Sequence, residues 1–168
     1  MILSKEEFLS SARSEVRLLL HLASKVDAGM LHFRPTPSQR SLLGLLQYLT
    51  IMGPIHIRAV LAPSFDMDDW RRAWREGEAA AGQLNLDQVR SSIAEQSALL
   101  EELLRQASDD DLRHEITMFG HKASRGALLV DLVLRHYAAY RMQLFLYLKA
   151  CGREELSTLN LWAGIDAF

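Results

Sequence analysis

The segment from Ser41 to Leu61 is apolar on nearly every side, and it constrains the fold of this chain more than any other segment. Such a helix must lie in the centre of a domain, because none of its faces is suited to water. We place its start at Ser38 or Ser41. Gly53-Pro54 interrupts its middle, where the proline removes one backbone hydrogen bond and crowds the preceding turn, so we expect a kink there.

Three other segments have the three- and four-residue apolar spacing of amphipathic helices. They cover about residues 4–26, 85–107 and 125–150. Capping boxes begin the first two, because a Ser or Asn is followed three positions later by Glu or Gln. A shorter helix over residues 66–77 carries Trp70 and Trp74 on one face, where they are most simply packing anchors. Residues 115–120 have an extended pattern but are too short to imply a sheet.

Four long helices predict an all-α fold with the architecture of a four-helix bundle, extended by one short helix. The length of 168 residues fits a single domain over residues 1–168. We assign residues 4–152 to the bundle and residues 153–168 to a C-terminal tail, whose many large apolar side chains predict that it docks on the bundle. The long connection between the second and third long helices predicts a topology other than the simplest up-and-down ring.

Composition argues against several classes of function. A formal net charge of -2 disfavours a general nucleic-acid binder. A single cysteine, Cys151, rules out an intramolecular disulfide and a multi-cysteine zinc site. No stretch reaches the ~18 apolar residues that span a bilayer, and the charged N-terminus is unlike a signal peptide. We therefore expect a cytoplasmic protein without a membrane or nucleic-acid partner.

Two polar and aromatic stripes lie on helices that form the bundle, and bundles place their sites on facing helices. Steps of four, three and four residues align, on the last helix, His136, Tyr140, Gln143 and Tyr147. Four-residue steps align, on the second helix, Tyr48, Met52 and His56. A buried polar group without a partner costs ~1–3 kcal/mol, so these side chains need partners or water. The candidate ligand pocket consists of Tyr48, Met52, His136, Tyr140 and Gln143.

Two segments carry a resemblance to a known family. The run Phe33-Arg-Pro-Thr-Pro-Ser-Gln-Arg-Ser41 precedes the Leu-rich second helix, and the run His136-Tyr-Ala-Ala-Tyr-Arg-Met-Gln-Leu144 lies on the last helix. Together they resemble the DinB/YfiT-like superfamily of four-helix bundles. The resemblance implies a divalent metal held by one histidine on the second helix and a His-x-x-x-His pair on the last. It also implies metal-dependent thiol transfer or a related isomerisation as activities, and a homodimer as the assembly.

The metal-ligand pattern of that family is incomplete in this chain. Tyr48 stands in place of the histidine on the second helix, and Tyr140 in place of the second histidine on the last helix, so His136 alone matches. Arg141, Gln143 and Leu144 match the motif that follows, and Met142 replaces its glycine. A phenol with a pKa near ~10 must lose its proton before it binds a metal, which makes one histidine with two tyrosines a poor zinc site. His56 lies about 12 Å along the helix from Tyr48, at ~1.5 Å per residue, too far to join the same metal.

These observations leave three functions open. The first is a DinB-like protein without the three-histidine metal site, and without a cofactor, that binds a small ligand in the bundle pocket. The alternative is a metal-dependent thiol transferase or hydrolase with an altered zinc or nickel centre that includes His136. The third is an interaction scaffold in which His136 and Tyr140 belong to a hydrogen-bonded core cluster and His56 is a core histidine. No residue is assigned a catalytic role, and whether the chain is an enzyme stays open.

Overall fold

The computed structural model describes residues 3–166, which form mostly helices. The α-helices are α1 (Lys5–Ala23), α2 (Leu42–Leu61), α3 (Met67–Ala81), α4 (Leu86–Leu104), α5 (Asp109–Arg113), α6 (Arg125–Leu129) and α7 (Arg135–Ala150). A short 3-10 helix, Ala28–Met30, follows α1. A π-helical turn, Val130–Leu134, joins α6 to α7 in one long last helix, and a second one, Leu159–Ala163, lies in the tail. Within the described residues, no helix has both the length and the hydropathy needed to cross a bilayer.

Helices α1, α2, α4 and α7 form the predicted four-helix bundle. Both α1 and α2 pack against α4 and α7, so that α1 and α2, although consecutive among the long helices, occupy opposite corners. The connection over residues 24–41 carries the chain between these corners, and α3 packs along α2. This arrangement differs from the simplest up-and-down ring, as the long connections predict. The short helix α3 runs four residues further than the tryptophan spacing predicts.

Helix α2 is buried on most of its surface, and it continues through Pro54 from Leu42 to Leu61. Gly53 allows its close approach to α7, since a Cβ atom at this position would lie 2.2 Å from the phenol oxygen of Tyr137. That phenol donates a hydrogen bond to Gln96 of α4, whose side-chain amide donates to the carbonyl of Leu49 at 2.7 Å. A buried polar network therefore links three helices of the bundle.

A β-hairpin forms where the sequence indicates only an extended segment. Strands β1 (Glu115–Met118) and β2 (His121–Ser124) pair antiparallel. The two turn residues, Phe119 and Gly120, both have positive φ angles of 52° and 77°, which a two-residue hairpin turn of type I′ requires. Phenylalanine is unusual there, but its ring packs against Phe65 and Trp70 at centroid distances of 4.8 and 5.1 Å. This tertiary contact offsets the cost of the left-handed backbone.

The C-terminal tail docks against α1 and α7, as its apolar side chains predict. Leu156 and Leu161 of the tail are buried in the apolar core, whereas Phe168 lies outside the described residues. Arg141 of α7 is 2% exposed and holds the tail, because its guanidinium donates to the carbonyl of Leu161. The same side chain forms an ion pair of 2.7 Å with Glu15 of α1.

Loss of Arg141 is expected to release the tail and destabilise the bundle. We expect Arg141→Ala to lower the free energy of unfolding by about 3–5 kcal/mol, because it leaves the largely buried Glu15 carboxylate unpaired. Urea denaturation followed by circular dichroism measures this difference. Arg135→Ala is the matched control, since Arg135 pairs with Asp131 on the exposed side of the same helix. An exposed ion pair of this kind contributes at most ~1 kcal/mol to stability. Equal losses in both variants would contradict the role of Arg141.

Candidate functional site

Helices α2 and α7 bring four of the stripe side chains into contact. The rings of Tyr48 and Tyr140 lie 4.9 Å apart between centroids, in an edge-on arrangement. Two helical turns further along α2, the His56 ring lies 5.4 Å from that of His136, with 24° between the two planes. His136 in turn lies 6.2 Å from Tyr140. The pairs run in opposite directions along the two helices, so α2 and α7 are antiparallel here.

Helix α3 covers this contact with two indole rings. Trp74 stacks on Tyr48 at 5.3 Å with 14° between the planes, and it meets His56 edge-on at 5.4 Å. Trp70 lies 5.9 Å from Trp74 and 6.4 Å from His56. The guanidinium of Arg40 also lies over the Tyr48 ring, at 4.2 Å from its centroid. We call this group the aromatic cluster; it consists of Tyr48, His56, Trp70, Trp74, His136 and Tyr140.

Buried nitrogen atoms without hydrogen-bond partners concentrate in the aromatic cluster. Of the five such side-chain atoms in residues 3–166, four belong to it, and the fifth is the Nε atom of Arg125. The four are Nδ1 of His56, Nδ1 of His136, Nε1 of Trp70 and Nε1 of Trp74. Each unpaired buried group costs ~1–3 kcal/mol, so a cluster of them is a feature that folding stability alone does not favour.

His56 is held in its neutral form. The residue is 5% exposed, and burial lowers the pKa of its imidazole to about 4, with the electrostatic effect of the neighbouring His136 acting in the same direction. The sequence interpretation of His56 as a core histidine agrees with its burial. Its unpartnered Nδ1 atom and its contact with His136 do not follow from the sequence, because helical spacing places His56 relative to Tyr48 on α2 but not relative to α7.

The donor atoms near His136 do not match the three-histidine site of the DinB/YfiT-like superfamily. Burial raises the pKa of the Tyr48 phenol, and the hydroxyl of Tyr140 raises it further, so Tyr48 stays protonated and is a weak metal ligand. Among residues 3–166, no three side chains of His, Cys, Asp or Glu converge in a way that could hold a metal ion. The chemistry of Tyr48 therefore argues against the metal site that the family resemblance implies.

The five predicted pocket residues do not all meet. Tyr48, His136 and Tyr140 lie together in the aromatic cluster, and Met52 is fully buried between the two ends of the α2 stripe. Gln143 instead donates a hydrogen bond of 2.7 Å to the phenol oxygen of Tyr147, one turn further along α7. That these five side chains touch a ligand stays a prediction.

A groove of about 590 Å³ lies between α2 and α3. Its walls are mainly apolar and include Ile51, Pro54, Ile55, Phe65, Trp70 and Leu99. Trp70 belongs both to this groove and to the aromatic cluster.

The sequence does not predict the groove, because only the packing of α3 along α2 creates it. The four-residue spacing of Trp70 and Trp74 indicated a shared face on α3, but not what that face covers.

Comparison with known proteins identifies the fold. No protein-family model matches the chain, and no curated protein matches it. Among solved structures, a DinB-like protein (YjoA) from Bacillus subtilis aligns with a TM-score of 0.65 and 20% identity, over 90% of this chain and 95% of that one. A DinB-like protein from Bacillus cereus aligns with a TM-score of 0.69 and 16% identity, over the same shares of 90% and 95%. The chain has the DinB-like fold. This confirms, for the fold of this DinB-like chain, the resemblance to the DinB/YfiT-like superfamily that its sequence shows.

The lowered pKa of His56 predicts a loss of stability in acid. Native His56 titrates at about 4, whereas the pKa of an unfolded histidine is ~6.5. Between these values the unfolded chain binds the additional proton, so the contribution of neutral His56 is complete above about pH 6.5 and is lost as the pH falls towards 4. We expect this loss to reach roughly 2–4 kcal/mol in the free energy of unfolding.

A variant without this imidazole tests the assignment. Urea denaturation of His56→Phe between about pH 4 and about pH 7 is expected to show a weaker pH dependence than the parent chain. His121→Phe is the control, because His121 is exposed on the hairpin and its replacement leaves the steep dependence in place. If the free energy of unfolding depends on pH equally in the parent chain and in His56→Phe, burial of His56 is not the cause of the acid sensitivity.

Proposed function

We propose that this DinB-like chain binds a small organic molecule in the groove between α2 and α3. The observation that carries the proposal is the groove itself. Its volume of about 590 Å³ lies within the ~300–1,000 Å³ typical of small-molecule sites, and its walls are mainly apolar with a few polar groups. Ile51, Pro54 and Ile55 line it from α2, and Trp70 lines it from α3.

The aromatic cluster supports the groove from behind Trp70. Trp74 and His56 contact the Trp70 ring within the cluster, while Phe65 and Phe119 contact it from the loop and the hairpin. A ring held on several sides keeps its orientation without a ligand, which lowers the entropic cost of binding. In this proposal Tyr48, His136 and Tyr140 act through the cluster, as residues that position Trp70.

A matched pair of substitutions on α3 tests the proposed site. Ala73 lines the groove, whereas Ala80 is exposed on the same helix. We expect Ala73→Leu to fill the groove and weaken the binding of phenylbutanol, an uncharged aromatic probe, by at least about tenfold, which corresponds to ~1.4 kcal/mol. Ala80→Leu is expected to bind the probe as the parent chain does.

The readout is the NMR resonance of the indole N–H group of Trp70, assigned with Trp70→Phe. Saturable movement of this resonance is expected, while that of Trp162, which lies on the C-terminal tail, stays in place. Equal binding to the Ala73→Leu and Ala80→Leu variants would place the probe elsewhere. A resonance that does not move up to the solubility limit of phenylbutanol would contradict the proposal.

A metal-dependent thiol transferase or hydrolase with an altered metal centre is the second candidate. The observation that favours it is the contact between His56 and His136, whose rings lie 5.4 Å apart and whose Nδ1 atoms both lack partners. Imidazole nitrogens are suitable ligands for zinc or nickel, although a catalytic zinc normally has three protein ligands. This candidate needs both imidazoles, because the Tyr48 phenol keeps its proton and is a weak ligand.

Elemental analysis of the purified protein decides between the two candidates. The metal candidate predicts about one zinc or nickel ion per chain, lost in His56→Ala and in His136→Ala but retained in His121→Ala. Substoichiometric metal in the parent chain, or equal metal content in all three variants, would sink this candidate.

We further propose that the chain forms a homodimer through an exposed apolar patch. The residues that we propose for this patch lie on α7 and the tail and are 42–61% exposed: Leu146, Leu159, Trp162 and Ile165. Leu161, the neighbour of Trp162 in the tail, is buried and is not included in this surface. Light scattering is expected to give twice the mass of 19.0 kDa for the parent chain and a shift towards one chain for Leu146→Glu. A monomeric parent chain would refute the dimer.

A further inference from the structure

The groove between α2 and α3 carries an excess of negative charge. Three carboxylates line it, those of Asp66, Asp69 and Glu76, together with a single guanidinium from Arg58. All other side chains around it are apolar or uncharged. An apolar site with excess negative charge attracts positively charged molecules, because charges of one sign along low-dielectric walls concentrate the field inside a cleft.

Glu76 is the carboxylate whose charge is least compensated. Asp69 forms an ion pair of 2.5 Å with Arg72, and one oxygen of Asp66 accepts the backbone N–H groups at the start of α3. Glu76, by contrast, has neither an ion pair nor a side-chain hydrogen bond within residues 3–166. Arg58 lies in the last turn of α2, where its charge is partly balanced by the negative end of the helix dipole.

Trp70 adds an aromatic surface to the same groove. The face of an indole ring attracts a cation within ~6 Å of its centroid, and the interaction is worth ~0.5–2 kcal/mol depending on how far the cation is desolvated. The ring cannot turn freely, because Phe65 lies 6.5 Å and Phe119 5.1 Å from its centroid. A carboxylate and a fixed indole on one helix are the two groups that recognise organic ammonium ions in apolar sites.

We infer that the ligand of the groove is an organic cation, an apolar body that carries one ammonium group. The body packs against Ile51, Pro54 and Ile55 of α2, and the ammonium group is recognised by Glu76 and the face of Trp70. This inference rests on the proposed function, because it assigns a chemical class to the ligand of the same groove. An organic anion would instead meet the carboxylates of Asp66 and Glu76 against the guanidinium of Arg58, since Asp69 is paired with Arg72.

Three probes with the same apolar body test the charge of the ligand. Phenylbutylamine is a cation at neutral pH, phenylbutanol is uncharged, and phenylbutyrate is an anion. Calorimetry on the full chain is expected to show binding of the amine at least about tenfold tighter than that of the alcohol, with the acid weaker still. Because a charge interaction is screened by salt, the preference for the amine is expected to shrink in 1 M sodium chloride.

Two substitutions on α3 locate the ammonium group. We expect Glu76→Gln to weaken binding of the amine by about fivefold to tenfold and to leave the alcohol unaffected. Glu78→Gln is the control, because Glu78 lies on the same helix but faces Arg40 outside the groove. Trp70→Leu is expected to weaken the amine more than the alcohol, since it removes the indole face but keeps an apolar side chain.

The outcomes separate this inference from the proposed function. Equal affinities for the amine and the alcohol would overturn the cationic class but leave a small-molecule groove in place. Absence of binding by all three probes would overturn both. An amine preference that is unchanged in Glu76→Gln and in Trp70→Leu would also overturn the inference, because the charge would then be recognised elsewhere.

Discussion

Helix α2 has no face suited to water, and the arrangement of the other helices follows from covering it. Helices α4 and α7 pack against it from the bundle, and α3 packs along its remaining side. The approach of α7 depends on Gly53, whose missing side chain leaves room for the phenol of Tyr137. Because α3 lies along α2 rather than in a corner of the bundle, its residue Trp74 covers Tyr48. The same packing leaves a groove between α2 and α3.

Much of the fold could be predicted from local sequence signals. Capping boxes at Ser4 and Asn85 and the cap at Ser124 set where α1, α4 and α6 begin, and each lies next to its predicted helix start. The hairpin could not be predicted, because the positive φ angle of Phe119 depends on contacts with Phe65 and Trp70, which are distant in sequence. Local propensity does not contain such contacts.

The candidate site was only partly predictable for the same reason. Helical spacing placed Tyr48 and His56 on one face of α2 and His136 and Tyr140 on one face of α7, but it did not give the alignment between the two helices. Antiparallel packing pairs Tyr48 with Tyr140 and His56 with His136. His56 therefore lies two helical turns from Tyr48 and contacts His136, which lies one turn from Tyr140 on α7.

The tyrosine at position 48 determines what chemistry this part of the bundle can perform. A phenol in a buried site keeps its proton, so Tyr48 contributes a flat ring rather than a lone pair, and Trp74 stacks on that ring at 5.3 Å. Rings that stack in this way draw α3 onto the bundle and hold Trp70 in place. Trp70 also lines the groove, where Asp69 and Glu76 lie on the same helix. Attraction of a cation to an indole depends on the orientation of the ring, so the packing of Tyr48 against Trp74 is physically connected to the groove between α2 and α3.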